Sequence, residues 1–456
     1  MSRVLIVGAG PAGMRAAGIL AEAGLTPIVV DEREKAGGQI YRRPPGGFAR
    51  PPETLYGSEA VKAVALHRMF DELVRQRRVA YHPCSSVLGF SEGEAMVLGP
   101  EGRITIPYDR LILATGAYDR LAPVPGWEQA GTYSLGAAQI ALKAQGVALG
   151  RRIVLAGSGP LLTLVAHQLR AAGAGVVAVL DTSPLSTQLM GGVRMLAARP
   201  VVTARGAFMR AGLGRLYHAG VRLEGIEAGQ DGPSAIHWRD ARNRLHTIAC
   251  DTVALGWHLQ AETVLADLAG IGFDWSDIWQ QWLPRADVAG RAGDGLYLAG
   301  DGLRTLSADG AEIAGRLAAR ACLADIGHAV SAREQRRDLR RLTRMRRFAL
   351  GVAHAFPWPA AMVRNLPADA VICRCEGIRA GDLRATLPLA GAEANRVKSL
   401  ARVGMGRCQG RYCGRAGAEL IAFEAGIGVD DVGRLRAQPP ARPAPIATLC
   451  RTGPTK

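Results

Sequence analysis

Residues 3–13 read Arg3-Val4-Leu5-Ile6-Val7-Gly8-Ala9-Gly10-Pro11-Ala12-Gly13, and this stretch decides the fold. Val4 to Val7 is an apolar run short enough for a strand buried on both faces, and it passes directly into a GxGxxG turn. Gly8 allows the tight turn and Gly10 lets the backbone approach a pyrophosphate. Gly13 lets the following helix pack close to the strand, with the phosphates at its positive N-terminus. Alone, the pattern is weak. Its context strengthens it: a helix-like stretch from Met14 to Ala23, a second strand from Pro27 to Val30, and an acidic pair, Asp31-Glu32, about twenty residues on to accept ribose hydroxyls. A glycine-rich turn in an ordinary α/β protein explains less of this.

Three later segments extend the pattern: Gly37-Gly38-Gln39-Ile40, the run Asp109-Arg110-Leu111-Ile112-Leu113-Ala114-Thr115-Gly116, and Gly295-Leu296-Tyr297-Leu298-Ala299-Gly300-Asp301. Taken singly, each reads as a strand ending in a turn. In this order they resemble the flavoproteins built from two dinucleotide-binding domains. That resemblance implies FAD rather than NAD at the first site, held by Gly8, Gly10, Pro11, Ala12, Gly13, Asp31, Glu32, Gly38, Gln39, Ala114, Thr115, Gly116, Gly300 and Asp301.

Between these segments lies a second strand-turn, Ile153-Val154-Leu155-Ala156-Gly157-Ser158-Gly159-Pro160-Leu161-Leu162, with a strand ending at Asp181 after it. It reads as the inserted second nucleotide fold, but Leu162 stands where the third glycine belongs. A side chain there pushes helix from strand and weakens the site as an NAD(P)H pocket. Gly157, Gly159 and Asp181 are its candidate nucleotide contacts, and Asp181 reads equally as a strand-end turn residue. The segment is expected to be a structural or nucleotide-binding remnant.

Near the C-terminal end stand Cys373-Arg374-Cys375 and Cys408-Gln409-Gly410-Arg411-Tyr412-Cys413, a CxC and a CxxxxC separated by thirty-two residues. Four thiolates in Gly- and Arg-rich turns suit a [2Fe–2S] centre, whose negative charge backbone N–H groups and cations stabilise. Structural zinc is the serious rival, although the CxC half is unusual for zinc. A disulfide across CxC would be strained. The runs VICRCEGI and VKSLARVGMGRCQGRYCG are similar to the bacterioferritin-associated-ferredoxin-like [2Fe–2S] domain, over about residues 371–430. This resemblance implies Cys373, Cys375, Cys408 and Cys413 as cluster ligands. Cys84, Cys250, Cys322 and Cys450 are solitary and read as buried small apolar residues or an incidental tail thiol.

At 456 residues the chain suits two or three domains. Its net charge of +16 comes almost wholly from arginine and, with abundant Ala and Gly, reads as codon bias. No aromatic series or zinc-finger pattern supports nucleic-acid binding. The densest basic stretch, Arg333 to Arg347, reads as a solvated linker helix or as a docking surface for an acidic partner or membrane. The first residues already form the strand and turn, so no signal peptide is expected, and no apolar run approaches a bilayer span. The expected location is the cytoplasm, with a peripheral place on the inner membrane face left open.

The expected fold is thus α/β. A discontinuous FAD-binding domain occupies about 1–125 and 285–328, with a second nucleotide-binding domain inserted at about 126–284. A helical, Arg-rich connector at about 329–370 leads to the cluster domain at about 371–430, and a flexible tail covers 431–456. No redox-active cysteine pair precedes residue 373, and no GxSxG or HExxH is present. Catalytic acid–base residues are therefore unknown, and His258 reads as a satisfied surface or core histidine.

From VGAGPAGMRAA and GGQIYRRP to CRCE and GMGRCQGRYCG, nearly the whole chain resembles one family, the α subunits of heteromeric flavin-dependent amino-acid and opine dehydrogenases. The A-type chain of opine oxidase, the B-type chain of hydrogen cyanide synthase and the α subunits of proline or hydroxyproline dehydrogenases belong to it. The resemblance implies a glycine-oxidase-like flavoprotein β subunit that oxidises the C–N bond, room for a further small subunit, and a downstream quinone or soluble electron carrier. Two other readings stay open: a stand-alone NAD(P)H-dependent reductase of a ferredoxin-like acceptor, and a non-catalytic redox- or iron-responsive protein.

Overall fold

The computed structural model describes residues 2–47 and 50–451. Strand β1 (Val4–Val7) is buried along its whole length, as a parallel strand covered on both faces must be. It runs into helix α1 (Pro11–Glu22), whose first position is a proline, where the missing N–H costs nothing. Strands β2 (Ile28–Val30), β3 (Ala80–His82) and β4 (Arg110–Leu113) join it in parallel in the first sheet, with Leu5 opposite Ile28 and Val4 opposite Arg110.

The chain then builds a second parallel sheet. Its strands are β5 (Thr132–Ser134), β6 (Ile153–Ser158), β7 (Val176–Asp181), β8 (Tyr217–Ala219) and β9 (Thr252–Trp257), in the order β8-β7-β6-β9-β5. Helix α2 (Leu135–Ile140) continues as one π-turn, Ala141–Gln145, and α3 (Pro160–Ala171) follows β6. Helices α4 (Leu185–Ala198) and α5 (Pro200–Ala211) follow β7. Strands β10 (Arg291–Gly293) and β11 (Leu296–Leu298) return to the first sheet and fix its order as β10-β11-β4-β1-β2-β3. This is the architecture of a flavoprotein with two dinucleotide-binding folds.

Helix α6 (Ser307–Asp325) packs on α1 so closely that a Cβ on Gly315 would lie 2.1 Å from the Ala12 carbonyl oxygen. The connector helix α7 (Ala332–Ala355) departs from the expected solvated linker. Leu342, Met345, Ala349 and Val352 are buried along one face, and Asp338 is held by Arg316 and Arg320 at 2.6–2.9 Å. One side of α4 covers it, at a glycine contact where a Cβ on Gly191 would lie 2.4 Å from the Gly351 carbonyl oxygen.

Beyond α7 come a short strand pair (Val371–Cys373 with Ile378–Arg379) and helices α8 (Ala380–Ala390), α9 (Ala394–Ala401) and α10 (Gly414–Ala425). They pack against the second fold. One apolar cluster joins Leu121, Val124, Trp127 and Trp257 of the second fold to Trp358, Ile372, Val403 and Leu420. The Trp127 indole donates to the Val371 carbonyl at 2.6 Å.

The tail also differs from expectation. Although it carries little regular structure, it is docked: Ala441 is buried and donates to the Leu88 carbonyl at 2.8 Å. Arg434 pairs with Asp267 and Arg442 with Glu32. Polar anchors, which leave no apolar periodicity in the sequence, hold it. The expected tail residues 452–456 lie outside the described residues.

Candidate functional site

The first glycine turn has the geometry its sequence requires. Gly8 has φ +106°, and a Cβ there would meet the Ala114 carbonyl oxygen at 2.4 Å. A Cβ on Gly13 would lie 1.8 Å from the Gly8 carbonyl oxygen, so only glycine lets α1 sit this near β1. Gly10 is the N-cap of α1; no side chain caps it, and the first turn holds no acid. Its amide groups and positive end are therefore open to an anion. Gly38 faces Gly10 across this opening: a Cβ on Gly38 would come within 3.0 Å of the Gly10 Cα. Pro11, Ala12 and Gln39 belong to the same two turns.

The other expected contacts close around this cradle. Asp31 stands just past β2 and accepts from the Ala9 amide at 2.5 Å and the Arg33 amide at 2.8 Å, while burial pushes its carboxyl pKa up. Glu32 turns outward to Arg442 at 2.7 Å. Ala114, Thr115 and Gly116 lie at the end of β4. Gly300 (φ +74°) and Asp301 lie at the end of β11, where a Cβ on Gly300 would be 2.9 Å from the Ala12 Cβ. Asp301 accepts from the Leu306 amide at 2.8 Å, and burial pushes its pKa up to about 7.

The second glycine turn is different. Gly157 (φ +142°) is pressed against the Gly256 carbonyl oxygen, and Gly159 has φ +102°. Leu162 is fully buried beside Leu135, Leu155 and Val179, so a core side chain fills the place of the third glycine. Asp181 is fully buried, accepting from the Tyr217 hydroxyl at 2.5 Å and the Ser183 amide at 2.8 Å. Its oxygens serve the turn, as in the strand-end reading. His258, in the left-handed region at φ +69°, accepts the Leu259 amide on Nδ1 at 2.6 Å, and burial then Arg120 lower its pKa to about 4.

All eight cysteines are free thiols. Cys373 and Cys413 are buried, Cys408 is half-buried and Cys375 is exposed. The four make one chain of contacts: Cys373 meets Cys413, Cys413 meets Cys408, and Cys408 meets Cys375. Contact with Cys413, helped by the Gly404 and Glu376 amides, lowers the Cys373 pKa to about 6. Cys413, with the Tyr412 and Gly410 amides, lowers that of Cys408 to about 5. Among the described residues no group of three or more His, Cys, Asp or Glu side chains is placed to hold a metal ion. Of the other thiols, Cys250 and Cys322 are buried and Cys450 is an exposed tail thiol, as expected, whereas Cys84 is exposed at φ +51°.

Sequence reasoning missed the link between these two regions. The Thr115 hydroxyl donates to the Glu262 carbonyl at 2.7 Å, and the Glu262 amide donates to the Gly116 carbonyl at 2.9 Å. The Glu262 carboxylate accepts from Arg411 Nε at 2.6 Å and Nη2 at 3.2 Å, and Arg411 Nη1 donates to the Cys408 carbonyl at 3.2 Å. Glu262 and Arg411 are both buried. Hydrogen bonds thus run unbroken from the turn after β4 to the CxxxxC turn. Arg411 sits inside a quoted motif, but nothing in the run around Glu262 marks it.

Comparison with known proteins agrees with this architecture. The family model for pyridine nucleotide-disulphide oxidoreductases matches residues 2–228. The A-type chain of opine oxidase from Rhizobium meliloti is 35% identical, over 98% of this chain and 87% of that protein. The HcnB chain of hydrogen cyanide synthase from Pseudomonas aeruginosa is 31% identical, over 99% of each. Among solved structures, L-proline dehydrogenase from P. horikoshii superposes with a TM-score of 0.72 at 20% identity, over 99% of this chain and 79% of that one.

Proposed function

This chain belongs to the family that includes the A-type chain of opine oxidase and the HcnB chain of hydrogen cyanide synthase, and from that premise we propose that it is the electron-transferring component of a heteromeric dehydrogenase. It is a flavin-dependent oxidoreductase that binds FAD. In this reading a glycine-oxidase-like flavoprotein β subunit oxidises the C–N bond of an amino acid or opine. Electrons then cross this chain to a quinone or a soluble carrier.

The donor types suit both cofactors. The uncapped end of α1, with Gly10 and Gly38 facing each other, suits the diphosphate, and the Ala114–Gly116 and Gly300–Asp301 turns flank the space beyond. Cys373, Cys375, Cys408 and Cys413 supply the two thiolate pairs of a [2Fe–2S] centre, with the Gly404, Glu376, Gly410 and Tyr412 amides aimed at sulfur. When bound, FAD would supply a two-electron carrier and the cluster a one-electron carrier. The observation that carries the proposal is the Thr115–Glu262–Arg411–Cys408 connection, which holds the two candidate sites against one another. Free thiols throughout the chain agree with a reducing compartment, the cytoplasm. Among the described residues no helix is long and apolar enough to cross a membrane.

Gly157 and Gly159 remain the candidate contacts of the second fold, but buried Leu162 and Asp181 argue against hydride delivery from NAD(P)H there. The test is an anaerobic titration of the purified chain with NADH and NADPH, following the flavin and longer-wavelength absorbance. Neither should bleach, although dithionite reduces both. Bleaching within seconds would replace this reading with the stand-alone reductase.

A further inference from the structure

Helices α4 and α5 turn their apolar residues away from the core. Leu185, Leu189, Val193 and Leu196 recur at i, i+4, i+8 and i+11 and form one stripe along α4, and Val201 and Phe208 lie seven positions apart on one face of α5. All six are 51–78% exposed. The inward side of α4 buries only Gln188 and Gly191, the latter against Gly351 of α7, and no residue of α5 is buried. A helix of 12 residues is marginal by itself and draws its stability from a covered apolar face. Six large apolar side chains exposed within 24 positions exceed the scattered exposure normal for a protein surface.

The border of this face carries an excess of positive charge. Between Asp181 and Glu224 the sequence holds six arginines and no acid. Arg199 and Arg205 are answered from elsewhere by Asp309 and Glu59, while Arg194, Arg210 and Arg215 pair with no carboxylate among the described residues. On α7, exposed Arg336, Arg340, Arg344 and Arg347 repeat the i, i+4, i+8, i+11 spacing and likewise have no ion-pair partner among the described residues. The acids of α7, Glu334 and Asp338, are already engaged by Arg316 and Arg320. Gly351 continues the arginine row by one turn and is the residue pressed on α4, so the row leads to the edge of the apolar stripe.

We propose that α4 and α5, bordered by the arginines of α7, seat the chain on a phospholipid bilayer with anionic headgroups. Aliphatic side chains and a Phe entering the headgroup–acyl boundary need no directional partner, and anionic headgroups answer the arginines. A second copy bound through the same face would bring arginine against arginine. A protein partner fits less well, because the stripes hold neither Tyr nor Trp, the residues that anchor protein interfaces. The inference does not rest on the electron-transfer reading, since lipid binding needs neither cofactor.

Flotation of the full-length chain with vesicles tests it, using phosphatidylcholine alone and phosphatidylcholine mixed with phosphatidylglycerol. Wild type should partition onto the mixed vesicles at least about tenfold more strongly, and about 0.5 M salt should remove most of that preference. Leu189→Ser combined with Phe208→Ser, folded by circular dichroism, should weaken binding by at least about tenfold. Arg340→Gln combined with Arg344→Gln should weaken it by about tenfold or more on the mixed vesicles alone. Val61→Ser, at an exposed apolar position on the helix Ala60–Arg75, should change nothing. Wild type that fails to float with the mixed vesicles overturns the proposal, as does binding that survives Leu189→Ser with Phe208→Ser. A light-scattering mass that doubles with concentration in wild type, but not in that variant, would overturn it in favour of a second copy.

Discussion

Replacing Glu262 by Gln removes the one carboxylate that answers Arg411 between the two candidate cofactor sites. The two side chains are 9% and 8% exposed, so the pair is effectively out of water. Breaking such a pair from one side costs about 3–5 kcal/mol, because the remaining charge stays buried. Arg411 keeps the Cys408 and Ala441 carbonyls, and the amide oxygen of Gln remains in reach of Nε. The lower end, about 3 kcal/mol, therefore applies. That corresponds to about two powers of ten in a local opening equilibrium. Hydrogen exchange of the full-length chain, read by mass spectrometry, measures it. Amides in 408–414 and 437–442 should exchange about a hundredfold faster, while the helix Ala60–Arg75 should not change. In a cycle with Arg411→Met, the double variant should cost clearly less than the sum of the singles. Unchanged exchange at 408–414, or an additive cycle, would show that this pair does not hold the seam.

Gly13→Ala should abolish or weaken flavin retention by at least about tenfold, seen as lost absorbance after gel filtration, because its Cβ would lie 1.8 Å from the Gly8 carbonyl oxygen. Leu162→Gly restores the third-glycine pattern yet should destabilise the second fold by roughly 3–6 kcal/mol, from the emptied core volume and the helix glycine. It should bring no bleaching by NADH. Cys408→Ser should remove the longer-wavelength absorbance and leave bound FAD; loss of both would contradict separate cofactor sites. Burial, then Arg43, lowers the pKa of His67 to about 4, against an ordinary value near 6.5. Between those values the unfolded chain binds more protons, so stability should fall as pH drops from about 6.5 to about 4, by up to about 1.4 kcal/mol per pH unit. His67→Gln should flatten that part of the denaturation-midpoint profile.

The fold was legible wherever one local pattern carries one physical requirement. The Gly8–Gly13 turn, the strand runs into Ala114–Gly116 and Gly300–Asp301, and the two cysteine pairs each announce themselves within a dozen residues. Contacts between distant segments were not. Glu262 and Arg411 are separated by 149 positions, and no pattern around Glu262 pairs it with the cysteine turn. Arg442 reads as part of a proline-rich tail until Glu32 is found opposite it. The connector misled for a related reason: its charge-dense sequence hides a buried stripe and an aspartate clamped by two arginines.

The apolar cluster that unites Trp127 and Trp257 with Trp358, Ile372 and Val403 sets an order of events during biogenesis. As the chain leaves the ribosome, the surface around Leu121, Val124 and Trp127 emerges more than two hundred residues before the segment that covers it. Until that last quarter arrives, the nascent second fold presents aromatic surface to water. The cysteine turns gain their apolar backing only when the C-terminal segment docks on the second fold. Excising residues 371–430 would expose the part of this shared apolar cluster that Trp127 and Trp257 now face.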